Sequence, residues 1–475
     1  MYASKYNLIF GSDSDYSLIF NPLSGALDLV KKEIVKTIFD DGNAKKTEIS
    51  PEIINMLRDR GYLFSNKEEE YALIEKAYKF HEKIIASTPE RFLVIPTYFC
   101  NLRCAYCYQR ELDRKADLIS EDVMKAMFDA FLRIRNKRTN SYKPPVVMLF
   151  GGEPLIHRQK QPEIIELILA ECQKMGCLTK IITNGVDLEF FTDLISAYNV
   201  VRHVHITMDG PKSIHDKRRR YANGEGTFDK IVRGIDSAIE KGINIEIHVN
   251  LDRENIKALP QFADFIIQKG WMESKLVHSH LSAVQQGTCS GEGNCMTWSS
   301  ICNRVFQFYD TKPQTSVFSL DLPLVQLFEK IIKGKDVLTQ RFAYCGANTK
   351  MFVFDLYGDI YVCNGNVGNK EFSVGRFYPR FKIDSEKLTS WRNRNILTIP
   401  ECRDCRLSLL CGGGCGAAAL RKNGTLGAPF CEPVEESLKC ISKYYASRLK
   451  EVLLPTVTPR RDPKFIVANT TSSTR

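Results

Sequence analysis

Three cysteines, in Cys100-Asn-Leu-Arg-Cys104-Ala-Tyr-Cys107, constrain this chain more than any other stretch. They follow an apolar run, Phe92-Leu-Val-Ile-Pro96, that reads as a strand, so they occupy the loop at its C-terminal end. Loops at that end carry the active sites of α/β barrels. Three thiolates can hold three corners of a 4Fe–4S cube where an electron-transfer cluster uses four, leaving one iron open to a further ligand. Taken alone, the triad fits a zinc site or a structural cluster equally well.

A chain of 475 residues is too long for one core, so two or three domains are expected. Its apolar (44%) and charged (26%) fractions are those of a globular protein. No apolar run approaches the ~18 residues of a membrane span, and Met1-Tyr-Ala-Ser-Lys-Tyr6 is no signal peptide. The expected location is cytoplasmic, without a membrane partner. Sixteen cysteines in a reducing compartment point to metal rather than disulfides. The net charge of +10 is spread along the chain apart from Lys217-Arg-Arg-Arg220 and the tail. It suits a solvated face or an acidic peptide at least as well as nucleic acid, and no nucleic-acid partner is expected.

The chain divides by pattern. In residues 1–88, Tyr6–Phe10 and Tyr16–Phe20 flank the turn-rich Gly11–Asp15 and read as a hairpin. Leu29–Phe39 reads as a helix. Ser50-Pro51 caps a second helix, Glu52–Arg60, which Gly61 closes before a strand at Tyr62–Phe64. A charged helix, Lys67–Ile85, follows. This winged-helix-like set carries no catalytic cluster.

Residues 89–285 alternate strand and helix, with strands at Phe92–Ile95, Val146–Phe150, Lys180–Thr183, His203–Met208, Asn244–Asn250 and Lys275–Ala283. That alternation implies βαβ units and a parallel sheet. Strand ends carry Gly151-Gly152-Glu153-Pro154, Thr183-Asn184-Gly185, Thr207-Met208-Asp209 and Asn250; Arg219 lies in the basic run, whose Lys217 and Arg220 read as solvated. His203, His205, His248, His278 and His280 fall on strands, two pairs at period two, and read as barrel or surface residues rather than ligands.

A bridge, 286–340, holds Cys289, Cys295 and Cys302 and a helix at Asp321–Ile332. Residues 341–445 hold Cys345, Cys363, then Cys402-x2-Cys405-x5-Cys411-x3-Cys415, and Cys431. This is longer and less symmetric than a zinc ribbon. Phe352–Val362 reads as a hairpin. A C-terminal tail is taken from 446; Val434–Leu453 is helical, and 455–475 read as flexible.

The three-cysteine loop and the strand-end motifs together resemble the signature of radical S-adenosylmethionine (SAM) enzymes. The resemblance implies an α/β fold with a partial (β/α)6 TIM-like barrel. It implies a 4Fe–4S cluster on Cys100, Cys104 and Cys107, its open iron chelated by SAM, whose reductive cleavage yields a 5′-deoxyadenosyl radical. Carried over by position, Tyr106 lies against the adenine, Gly151, Gly152, Glu153 and Pro154 take the ammonium, and Thr183 and Asn184 the ribose. Arg219 pairs with the carboxylate, and Thr207, Asp209 and Asn250 line the cavity. The later cysteines resemble the SPASM extension with two auxiliary 4Fe–4S clusters. Cys345, Cys363 and Cys415 would hold the first, with Cys289, Cys295, Cys302 or an open iron completing it. Cys402, Cys405, Cys411 and Cys431 would hold the second. The N-terminal region resembles the leader-recognition domains of enzymes acting on ribosomal peptides. The implied activity is peptide cross-linking, a thioether favoured over carbon–carbon or ether links, with an external donor such as flavodoxin or ferredoxin. Anaerobic sulfatase maturases are similar, but they generally carry an aspartate where this chain has Asn364. A non-catalytic iron–sulfur DNA-binding redox sensor is the alternative of another class.

Overall fold

The structure, a computed structural model, describes residues 1–11, 15–39, 49–109, 112, 115–136, 143–284, 294–333 and 340–453. The chain packs into two compact units. One comprises Met1–Ile85, Leu322–Tyr344 and the chain from Arg394; the other comprises Ala86–Asp321 and Cys345–Asn393. No helix among the described residues is long and apolar enough to cross a membrane.

The first unit opens with β1 (Tyr2–Ala3), β2 (Leu8–Gly11), β3 (Tyr16–Asn21) and β4 (Ala26–Lys31), and β5 (Leu63–Phe64) follows two helices. β2, β3 and β4 form an antiparallel sheet with Leu8 opposite Phe20 and Ile19 opposite Asp28, and β5 pairs with β1. The turn expected at 12–14 lies outside the described residues. The helix expected from Leu29 begins only at Lys32. Ala26–Lys31 instead turns back at Gly25 and joins β3, because burial of Leu27 and Val30 outweighs the local helical period. The second helix, Pro51–Asp59, has the expected cap: the Ser50 side chain accepts from the Ile53 amide. The long helix runs Lys67–Ser87.

Two polar residues hold this sheet to its helices. Asn21, fully buried, accepts from the Leu23 and Ser24 amides at 2.9 and 3.1 Å and donates to Asn7 and Gly61. Asp28 accepts from the Arg60 guanidinium at 2.8 and 3.0 Å and from the Tyr62 hydroxyl at 2.7 Å. A second core joins distant sequence: Tyr6, Leu23, Ile74, Phe342, Ile399, Cys402 and Leu409 are mutually buried.

The other unit is built on one sheet of eleven strands. Its parallel body is β6 (Arg91–Ile95), β7 (Val146–Leu149), β8 (Leu178–Thr183), β9 (Val201–Thr207), β10 (Ile245–Leu251) and β11 (Val277–Ala283), the six expected strands. Two additions escaped the local pattern. β12 (Phe318–Leu320) adds parallel to β11, and β13 (Met351–Asp355) adds parallel to β6 with Met351 opposite Arg91. β13 also forms the expected hairpin with β14 (Asp359–Tyr361), which β15 (Gly375–Arg376) and β16 (Lys382–Ile383) extend. Along β10, Ile245, Ile247, Val249 and Leu251 are buried on one face, and Glu246, His248 and Asn250 occupy the other. The bridge helix spans Pro323–Ile332, and the C-terminal helix Val434–Leu453. The tail expected at 455–475 lies outside the described residues.

Asp28→Ala removes the carboxylate that Arg60 and Tyr62 share and leaves the buried Tyr62 hydroxyl its bond to the Ile19 carbonyl. It is expected to destabilise the N-terminal sheet by about 2 kcal/mol, seen as roughly 30-fold faster amide exchange over 17–30.

Candidate active site

The cysteine loop leaves β6 and is stitched to the segment after β9. The Arg103 amide donates to the Arg220 carbonyl at 2.8 Å and the Ala105 amide to the Arg218 carbonyl at 3.1 Å. This fixes Cys100, Cys104 and Cys107, all partly exposed, at the C-terminal end of the parallel sheet. The Leu102 amide points at the Cys100 sulfur, 3.4 Å away.

Stitching brings Tyr106 into a buried polar network. Its hydroxyl donates to Asp209 and accepts from Arg219 Nη1 at 2.8 Å. Asp209 also accepts from Arg218 Nε at 3.3 Å and from the Asn250 amide at 3.1 Å. Arg218, 2% exposed, reaches on to Asp252 at 2.6 Å and lies over the Tyr106 ring at 4.9 Å. Asp209 is thus spent on tying the loop to β9 and β10. The role of Arg218 was invisible in the sequence, as was that of His215, whose Nδ1 accepts from the Asp209 amide. A basic run reads as a solvated loop until its acidic partners at 209 and 252 are placed. Thr207 and Asn250 lie on the same side of the sheet, and Asn250 Nδ2 reaches the Tyr106 hydroxyl at 3.5 Å.

The loop after β7 passes directly over the cysteine loop. A Cβ on Gly152 would sit 2.1 Å from the Phe99 carbonyl oxygen, so only glycine fits. Glu153 is buried and accepts from the Thr183 hydroxyl (2.5 Å), the Asn184 amide (2.6 Å) and the Leu155 amide (2.8 Å). Its carboxylate, with Thr183, locks the ends of β7 and β8 together, and Pro154 follows within the same loop. Asn184 donates to Asn101 at 2.7 Å.

Fit to the implied cofactors rests on two features. Three thiols share one loop. Arg219 Nε is buried without a hydrogen-bond partner among the described residues, a donor available to an anion such as a carboxylate.

The other cysteines divide between the units. Cys345 and Cys363 belong to the barrel unit, where Tyr108 lies beside Cys107, Cys363 and Asn364. Cys402, Cys405, Cys411 and Cys431 converge in the first unit. Burial and the three neighbouring thiols push Cys402 up to about 12, so the group favours a cation that replaces its protons. Arg394 braces this pocket, donating to the carbonyls of Gly413, Gly414 and Ala428 at 2.8–3.0 Å. A Cβ on Gly414 would meet the Phe430 oxygen at 1.8 Å. Cys415 lies in this unit as well. Of the three bridge cysteines, Cys289 lies outside the described residues and Cys302 is fully buried in the helix Trp298–Thr311. Cys295 is disulfide-bonded, against the expectation of reduced cysteines, and a bonded sulfur offers no thiolate to a cluster.

Burial pushes the Glu153 carboxyl up to about 7 despite its three donors. The unfolded chain ionises this group near 4.5, so between about pH 4.5 and about pH 7 the folded state binds the extra proton, and stability declines as pH rises through that window. Glu153→Gln is expected to flatten this slope in the apparent melting temperature of the cluster-loaded protein.

Residues 94–266 match the radical SAM superfamily. A serine-type anaerobic sulfatase-maturating enzyme of Bacteroides thetaiotaomicron is 23% identical over 66% of this chain and 80% of its own length. Among solved structures, anSMEcpe with bound AdoMet aligns with a TM-score of 0.58 at 19% identity, covering 77% of this chain and 96% of its own. Streptococcus suis SuiB bound to the precursor peptide SuiA aligns with a TM-score of 0.54 at 14% identity, covering 90% and 98%. The superfamily domain holds a 4Fe–4S cluster and SAM. With its cysteine loop at the end of the first barrel strand and the glycine loop passing over it, this chain carries that domain over residues 94–266.

Proposed function

We propose that this enzyme matures a ribosomally made precursor peptide by forging an intramolecular cross-link, a thioether in preference to a carbon–carbon or ether bond. Coverage carries this reading: the likeness to SuiB, solved with its precursor peptide, spans 90% of this chain against 77% for anSMEcpe. The N-terminal sheet supports it. Its order β2–β3–β4 leaves β2 and β4 as edges of the kind an extended leader can join. Residues 1–88 take the leader-binding role in this reading.

Cys100, Cys104 and Cys107 hold the barrel cluster, and Arg219 offers its unspent donor to the SAM carboxylate. Tyr106, Gly151, Gly152, Glu153, Pro154, Thr183, Asn184, Thr207, Asp209 and Asn250 shape the surrounding cavity. When bound, cluster and SAM supply a 5′-deoxyadenosyl radical able to take hydrogen from an unactivated carbon. Thioether closure breaks one C–H and one S–H bond and makes one C–S bond. One hydrogen leaves as an atom to 5′-deoxyadenosine and the other as a proton. The one electron left over would need an acceptor, a role that auxiliary clusters on the later cysteines would supply when bound, and an external donor of the flavodoxin or ferredoxin type would supply the electron for SAM cleavage. Two auxiliary clusters are assigned, one to Cys345, Cys363 and Cys415 and one to Cys402, Cys405, Cys411 and Cys431.

The second reading, oxidation of cysteine or serine to formylglycine, draws on the sulfatase-maturating relative. Asn364 offers no base after Cys363. Asp355, on the same hairpin, is already spent on the Tyr98 hydroxyl and two backbone amides.

After anaerobic reconstitution, iron content is expected at about twelve per chain, falling to about eight in the Cys100/Cys104/Cys107→Ala variant. Cys405→Ala is also expected to hold about eight, keeping SAM cleavage but losing cross-linking. The peptide product should lose two hydrogens and not react with a hydroxylamine probe. An aldehyde in the product would establish the formylglycine reading instead.

A further inference from the structure

Adjacent strands β9, β10 and β11 place three histidines on one side of the sheet, opposite the buried Ile and Val face. The parallel register sets His205 beside Glu246 and His248 beside His280. Ring centroids lie 4.7 Å apart for His205 and His248, 4.6 Å for His248 and His280, and 5.4 Å for His205 and His280. One nitrogen of each ring lies within 4.8 Å of the other two.

The carboxylate of Glu246 organises the group from one side. Its Oε2 lies 3.5 Å from His205 Nδ1 and 3.2 Å from His203 Nε2, and its Oε1 lies 3.4 Å from His280 Nδ1. With Nδ1 of His205 and His280 turned to the carboxylate, their Nε2 atoms are the ones left for the centre. His205 Nε2 meets His248 Nδ1 at 2.7 Å, while His248 Nε2 is buried without a hydrogen-bond partner among the described residues. Imidazoles that pack only as core find partners for both nitrogens. A carboxylate 3.4–3.5 Å from the outer nitrogens of two imidazoles, whose inner nitrogens converge with a third, is placed as one that orients histidines on a metal.

We propose that His205, His248 and His280 bind a divalent first-row transition ion, zinc being the probe, with Glu246 as the carboxylate that orients two of them. Three imidazoles leave a fourth tetrahedral position, the pattern of an open rather than a sealed zinc site. The group is reachable: the side chains of His205 and Glu246 are 19% and 32% exposed. Thr207 and Asn250 lie two residues further along β9 and β10 on the same side, roughly 7 Å on at strand rise. The histidines therefore lie one layer below Asn250, whose side chain reaches the Tyr106 hydroxyl. Binding requires the 2.7 Å nitrogen contact to open, since two nitrogens on one tetrahedral zinc stand about 3.3 Å apart at Zn–N distances of about 2.0 Å.

The reconstituted, cluster-loaded enzyme is equilibrated with micromolar zinc and desalted, and zinc and iron are counted by mass spectrometry. About one zinc per chain is expected with iron unchanged. Its X-ray absorption should show nitrogen scattering with imidazole outer shells. His248→Gln and His280→Gln should each lower zinc affinity at least tenfold, and Glu246→Gln about 10- to 100-fold, with iron content and SAM binding retained. No zinc retained by the wild type, sulfur-dominated zinc scattering, or unaltered affinity in both histidine variants would overturn the site. If a substitution unfolds the barrel, as loss of iron would reveal, the wild-type absorption spectrum still decides the ligands.

Discussion

The end of the barrel that carries the cysteines depends on one buried cation. Arg218 lies between Asp209 and Asp252 with almost no solvent contact. Its own carbonyl accepts from Ala105 in the cysteine loop, and its guanidinium covers the ring of Tyr106. Removing one partner of such a set leaves an uncompensated buried charge, at about 3–5 kcal/mol. The same arginine therefore neutralises two carboxylates, positions Asp209 to meet Tyr106 and pins the loop. Arg219, the next residue, is freed by this arrangement: Asp209 and Asp252 are already neutralised, so its Nε keeps a donor in reserve.

That division of labour explains what was legible in the sequence. The cysteine spacing and the strand-end motifs are local, and so are the six strands of the parallel body, most of which alternate buried residues with less buried ones. What escaped is what only long-range pairing determines. Leu29–Lys31 share the helical period of the residues after them but join β3 as the end of a strand. Met351–Asp355 reads as one arm of a hairpin, yet its other edge belongs to β6, more than two hundred residues earlier in the chain. Arg218 and Arg219 are both buried, and a run of basic residues does not say which of them pairs with the acids at 209 and 252.

The histidines make the same point from the other direction. Period two places His203 with His205 and His278 with His280, but it does not say whether the pairs meet. The parallel register does, by setting β10 between them with Glu246 and His248 on the shared side. A residue reading that treats each histidine separately correctly assigns it to a strand and misses the cluster, because convergence is a property of the sheet.

The four-cysteine group carries a further consequence for the first unit. Cys402 belongs to the same core as Tyr6, Leu23, Ile74 and Phe342, so the N-terminal segment is not an appendage that can be removed cleanly. Cutting it away would uncover the apolar wall behind a cluster ligand. Burial and neighbouring thiols push the Cys402 and Cys411 thiols up, and a cluster would replace their protons, its binding energy becoming folding energy for the unit. A cluster on these four sulfurs would then act on the β2–β3–β4 sheet through shared packing, besides any electron it accepts. Loss of peptide binding after cluster removal would follow from this coupling alone, which is why a leader supplied as a separate competing peptide is a cleaner probe of the sheet than a truncated enzyme.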